Sequence, residues 1–134
     1  MNYAIVVSDF NPEITEPMLG ECLKGFDEQG ITPEVVHVPG AVEIPLMLQE
    51  LITVKKPQAL VALGCVIKGD TEHYEYVCEM TSRGIMDTML KMHTPIIFEV
   101  LMVDTKAKAK ARIKKGYQAA FTAVQMGKLI RNAL

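Results

Sequence analysis

One stretch of this chain, Gly64-Cys65-Val66-Ile67-Lys68-Gly69-Asp70-Thr71-Glu72-His73, gathers residue types that can do chemistry. His73 is its candidate for moving a proton near neutral pH, because imidazole alone has an unperturbed pKa in that range. Thr71 adds a hydroxyl, and Asp70 or Thr71 can cap a helix whose first turn then holds His73. The free backbone amides at such a helix start suit an anion, phosphate above all. That start would lower the pKa of a histidine in its first turn, whereas Asp70, Glu72 and Glu75 would raise it. The chemistry in prospect is proton transfer beside a bound anion. A lone histidine in a helix is more often structural. His37, in mid-strand, and His93, just before a strand, are read as structural.

Such a segment acts only if other elements hold it. Ala59–Leu63, directly upstream, is an unbroken apolar run, the pattern of a strand buried on both faces of a parallel sheet. Gly64 and Gly69 are expected to relax the backbone where that strand ends. Further strands are expected at Tyr3–Ser8, Glu34–Val38 and Ile96–Leu101. A first helix is expected from Pro12, with Asn11 as its cap, to about Gln29, where Gly30 stops it. Others are expected over Glu43–Thr53, Glu72–Met92, about Thr105–Lys114 and Tyr117–Asn132. Alternating strands and helices predict one layered α/β domain, residues 1–134, with a parallel sheet covered on both faces.

In open sheets of this kind ligands gather beyond the C-terminal ends of the strands. The loops at that edge are Asp9-Phe10-Asn11, Pro39-Gly40-Ala41-Val42-Glu43, and Gly64 to His73, with Phe98 on the fourth strand. An exposed loop phenylalanine either covers the core or stacks on a planar ligand. Pro39-Gly40-Ala41 reads equally well as an ordinary turn or as amides aimed at a carbonyl or anion.

Composition narrows the classes. The chain has 134 residues, 49% of them hydrophobic, yet no apolar run reaches the 18 or so residues of a membrane span. The first residues carry no basic segment and turn polar at Ser8-Asp9, so no signal peptide is expected. Cys22, Cys65 and Cys78 are odd in number and widely spaced, which fits reduced cytoplasmic thiols better than disulfides or a zinc site. From Asp104 onward eight basic residues face one acid, although the net charge is only −2. Lys106, Lys110 and Lys114 recur at i, i+4, the spacing of a solvated helix face, and Arg112 stands apart from that repeat. Nucleic-acid binding has weak support, since aromatics make up 6% and tryptophan is absent.

Several segments resemble the 6,7-dimethyl-8-ribityllumazine synthase family, in order from Ala4 to Met126. They are Phe10-Asn11, Pro39-Gly40-Ala41-Val42-Glu43-Ile44-Pro45, the Gly64–His73 block, Pro95-Ile96-Ile97-Phe98, Asp104-Thr105 followed by Arg112, and Lys115-Gly116. The Gly-x-Val-Ile-x-Gly-x-Thr-x-His pattern is the most specific of these. The resemblance implies a flavodoxin-like three-layer sandwich around a four-stranded parallel sheet. It also implies the penultimate step of riboflavin biosynthesis, without metal or organic cofactor. There 5-amino-6-(D-ribitylamino)uracil is joined to 3,4-dihydroxy-2-butanone 4-phosphate, with loss of water and phosphate.

Residue by residue, the resemblance implies that Phe10 stacks on the pyrimidine and that Ala41, Val42 and Glu43 contact the ring and ribityl chain. Cys65, Val66 and Ile67 would border the same substrate. Asp70 and Thr71 would give amides and a hydroxyl to the phosphate, with Arg112 as its cationic partner. Phe98 would cover the ring from an adjacent subunit, His73 would transfer protons, and Lys115 would lie near the site. The implied assembly is a homo-oligomer, a pentamer or a 60-subunit shell of pentamers, in the cytoplasm.

The chain also departs from the family pattern. Asp9 stands where members often carry arginine, and Glu99-Val100-Leu101-Met102 where they often carry Gly-Val-Leu-Thr. The Arg112–Lys115 segment is shorter than in many members, and only two residues precede the first strand, so an N-terminal arm that adds to a neighbour's sheet is expected to be missing or reduced. Three other readings compete: a flavin-like storage protein, a shell protein with vestigial catalysis, and the related archaeal-type riboflavin synthase. The first needs neither His73 nor Arg112, and the Gly-Asp-Thr-Glu-His segment favours the phosphate-handling enzyme over the third.

Overall fold

The computed structural model describes residues 2–133. Strands β1 (Tyr3–Ser8), β2 (Glu34–Val38), β3 (Ala59–Ile67) and β4 (Ile96–Val103) form one sheet in the order β2-β1-β3-β4, every pairing parallel. Helices α1 (Pro12–Asp27) and α5 (Lys115–Asn132) pack on one face, and α2 (Ile44–Lys55) and α3 (Tyr74–Met92) on the other. A short α4 (Lys106–Lys110) follows β4, capped by Thr105, whose hydroxyl accepts from the Lys108 N–H at 3.2 Å. This is a single-domain flavodoxin-like sandwich. No helix among the described residues is long and apolar enough to cross a membrane.

The strand patterns follow from position in the sheet. β3 lies between β1 and β4, and all nine of its residues are buried. Val61, Leu63, Cys65 and Ile67 join the core under α1 and α5, whereas Leu60, Ala62 and Val66 join the core under α2 and α3. A strand sealed on both faces has no reason to alternate polar and apolar residues. β2 lies at an edge and is mostly accessible. β4 occupies the other edge and leaves Phe98 exposed.

Several boundaries differ from the sequence expectation. β3 continues to Ile67, so Gly64 lies within the strand rather than at its end. Its missing side chain serves packing: a Cβ there would lie 2.9 Å from Ser8 Oγ and 3.3 Å from Val100 Cγ1. Gly69 does take the left-handed conformation expected of a turn, with φ +99°. β4 extends to Val103 because its last residues pair with the prolonged β3, Ile67 opposite Val103. The second helix opens with a 3-10 turn, Ala41–Glu43, and runs to Lys55. α1 ends at Asp27, α4 ends at Lys110, and α5 begins at Lys115.

α1 and α5 approach until their backbones nearly touch, and two glycines make this possible. A Cβ at Gly25 would sit 2.7 Å from the Tyr117 carbonyl oxygen, and one at Gly116 would collide with the Met18 carbonyl. Backbone offers no rotamer through which to yield, so Gly116→Ala is expected to destabilise the fold by about 1–3 kcal/mol. Thermal unfolding checks this, with a midpoint lower by roughly 3–4 °C per kcal/mol. An unchanged midpoint would mean that the helices separate at no cost.

Candidate active site

The first two loops at the C-terminal edge are tied together through main chain. Asp9 N–H donates to the Val38 carbonyl at 2.8 Å, and Phe10 N–H to the Pro39 carbonyl at 3.2 Å. Phe10 is thereby set opposite Gly40-Ala41, its ring 53% exposed. Asn11 holds the third loop. It takes a left-handed conformation, φ 61°, makes no side-chain cap, and instead donates from Nδ2 to the Cys65 carbonyl at 3.0 Å. Asn11 is the N-cap residue of α1, as expected, but its side chain serves as a cross-link between the ends of the first and third strands. Nothing local in the sequence distinguishes the two uses of asparagine.

These ties enclose a cavity of about 210 Å³. Phe10, Ala41 and Val42 form one side, and Cys65, Val66 and Thr71 the other. Six of the residues singled out in the sequence thus meet at one place. Gly40 and Val77 complete the lining. Val77, on α3, is half-buried and serves core and cavity together. Burial, with Glu13 and Asp70 adding to it, pushes the Cys65 thiol up to about 11. At neutral pH Cys65 is therefore a protonated, largely apolar wall and not a nucleophile.

The remaining residues lie outside this cavity. Ile67 is buried and packs toward α1 and α5. The Glu43 carboxylate lies over Gly40, where Oε1 would be 3.0 Å from an added Cβ. Asp70 is exposed, and its N–H closes a turn onto the Ile67 carbonyl at 3.2 Å. His73 does not stand in the first helical turn. It is the N-cap of α3, because the Thr71 hydroxyl accepts its N–H at 3.2 Å and holds the chain in a turn until Tyr74. Its ring is exposed, 6.4 Å from that of Tyr76.

Phe98, Arg112 and Lys115 are set apart from these loops. Phe98 lies on the edge strand opposite Ala62, and 38% of it is accessible. Arg112 and Lys115 line a second cleft, about 360 Å³, between α1 and the start of α5, with Lys24, Lys114 and Tyr117. Glu99 faces that side. Its Oε2 is buried without a hydrogen-bond partner among the described residues. Burial holds its carboxyl above the usual range, and Lys115 opposes that shift.

Asp9, which stands beside Phe10, pairs with His37 Nδ1 at 2.9 Å, and Glu16 lies 3.8 Å from the same nitrogen. The three are exposed, and among the described residues they form the one group of carboxylate and imidazole donors close enough to share a cation. His37 thus joins β2 to the segment that follows β1.

Comparison with known proteins decides the family. The model of the 6,7-dimethyl-8-ribityllumazine synthase family matches residues 1–131. The chain belongs to this family. It is accordingly an enzyme, of the transferase class. Relatives bearing the 6,7-dimethyl-8-ribityllumazine synthase name include two from strains of Coxiella burnetii, CbuG_Q212 and RSA 493 / Nine Mile phase I. Each is 45% identical over 96% of this chain and 90% of its own length. One from Limosilactobacillus reuteri is 38% identical over 94% of this chain and 85% of its own. The lumazine synthase match spans the cavity loops and the Arg112–Lys115 segment alike.

Proposed function

We propose that this enzyme joins 5-amino-6-(D-ribitylamino)uracil to 3,4-dihydroxy-2-butanone 4-phosphate, forming 6,7-dimethyl-8-ribityllumazine with loss of water and phosphate. The observation that carries this reading is the convergence of Phe10, Ala41, Val42, Cys65, Val66 and Thr71 on one cavity. An aromatic face opposite apolar walls suits a flat pyrimidine. The Thr71 hydroxyl lies where the ring site meets the Gly69–Thr71 turn, the place for the phosphorylated chain.

The 5-amino group attacks the ketone and loses protons, while the carbinolamine oxygen gains them before leaving as water. His73, next to Thr71, is the group to shuttle those protons. Departing phosphate needs positive charge and N–H or O–H donors. Thr71 supplies a hydroxyl and Arg112 the charge, but within one protomer Arg112 lines a different cleft. The reading therefore takes Arg112, Phe98 and Lys115 from an adjacent copy. The active unit is a homo-oligomer, a pentamer or a 60-subunit shell, working in the cytoplasm on small molecules.

The test is to fractionate the protein by sedimentation and incubate each fraction with both substrates. Lumazine absorbance and released phosphate are expected to rise together, in fractions of pentamer size or larger. No lumazine from any fraction would refute the reaction, and a fully active monomer would refute the shared site.

A further inference from the structure

The turn proposed to meet phosphate is itself acidic, with Asp70 in it and Glu72 after it. Lys68 leads into the turn and is exposed. A second lysine, Lys106, opens α4 just beyond the neighbouring strand β4. β3 and β4 end side by side, and the Lys68 N–H donates to the Val103 carbonyl at 2.9 Å. The segments after Ile67 and after Val103 therefore leave the sheet together, one toward Thr71 and the other toward Lys106.

Glu13 holds the Lys106 side chain in place, with Nζ to Oε1 at 2.7 Å. Glu13 stands two residues after Asn11, whose Nδ2 is anchored to the Cys65 carbonyl. Lys106 is thus set through a short relay beside a wall of the cavity. Glu13, through its hydrogen bond first, and then the Asp70 carboxylate hold the ammonium firmly charged. About half of the side chain is exposed. An ammonium has three donors, and Glu13 uses one. Lys108, in contrast, points to Asp104 at 2.9 Å.

We propose that Lys106 is a further binding residue for the phosphorylated substrate, the cation that the protomer itself sets beside the Gly69–Thr71 turn. This rests on the reading above, in which Asp70 and Thr71 meet the phosphate. Lys106 offsets the turn's own carboxylate from within the chain, and Arg112 adds charge from the neighbour.

The test pairs a titration with inorganic phosphate, followed by calorimetry, with steady-state kinetics on both substrates. Lys106→Gln is expected to weaken phosphate binding about five- to tenfold and to raise KM for the butanone phosphate similarly, with KM for the pyrimidine unchanged. Lys106→Arg recovers most of the loss. Glu13→Gln removes the competing carboxylate but keeps an amide oxygen that accepts from Lys106 Nζ and so holds the ammonium in place, and phosphate binds as in the native protein or more tightly. Lys108→Gln, the control, changes neither.

Equal weakening by Lys106→Gln and Glu13→Gln would overturn the proposal and leave a lock between α1 and α4. So would phosphate affinity unchanged in Lys106→Gln, or no saturable phosphate binding in the native protein. Failure of the reaction itself is distinguishable. A native protein that makes no lumazine still has its phosphate site decided by the titration, whereas normal lumazine formation with unaltered affinity in Lys106→Gln refutes Lys106 alone.

Discussion

His73→Ala is expected to lower turnover by about 10- to 1,000-fold, the scale of lost general acid–base help. KM for both substrates should change little, because the imidazole does not line the cavity. The fold should be untouched as well: the His73 side chain is exposed and makes no capping hydrogen bond. The N–H that the Thr71 hydroxyl accepts belongs to the main chain and survives the substitution. Turnover and the melting midpoint, measured on the same preparation, separate chemistry from stability. Native turnover in the variant would remove His73 from the mechanism.

Arg112→Ala is expected to raise KM for the butanone phosphate by about 10- to 100-fold, the worth of a charge-assisted bidentate contact. KM for the pyrimidine should stay near the native value. Arg112→Lys should recover only part of the loss, since an ammonium lacks the planar fork. One further consequence separates a shared site from a local one. Arg112→Ala and His73→Ala subunits, unfolded together and reassembled, should regain activity at those boundaries where a native Arg112 meets a native His73. Equal effects on both substrates, with no recovery on mixing, would make Arg112 a structural residue of its own cleft.

The Gly64–His73 block shows how far the sequence was legible. Its apolar lead-in identified a buried strand, and its polar end identified the edge where a site forms. The first three segments quoted for the resemblance supply the loops that enclose the cavity, whereas Phe98, Arg112 and Lys115 lie apart from it. Local pattern was sufficient there because strand burial and turn chemistry are written within a few neighbouring residues. The boundaries were less legible. β3 runs four residues past Leu63 since β4 lies alongside to pair with it, a fact held by a segment far away in the chain.

By itself, then, the sequence determined the alternation of strands and helices, the family, and the residue types available at the sheet edge. Tertiary structure alone decided which of them meet. Ile67 differs from Val66 by one position, and the two-residue period of a strand turns one toward α1 and α5 and the other into the cavity. Gly64 is needed because Ser8 and Val100 crowd it from the adjacent strands. Asn11 spends its side chain on Cys65 and not on its own helix, because packing brings that carbonyl within reach. Arg112 ends in a cleft away from Thr71 because α4 carries the chain from the edge strand toward α1. The last three of these rest on contacts between segments distant in the chain, which no local pattern encodes, and the facing of Ile67 follows from the strand period once β4 has prolonged β3 that far.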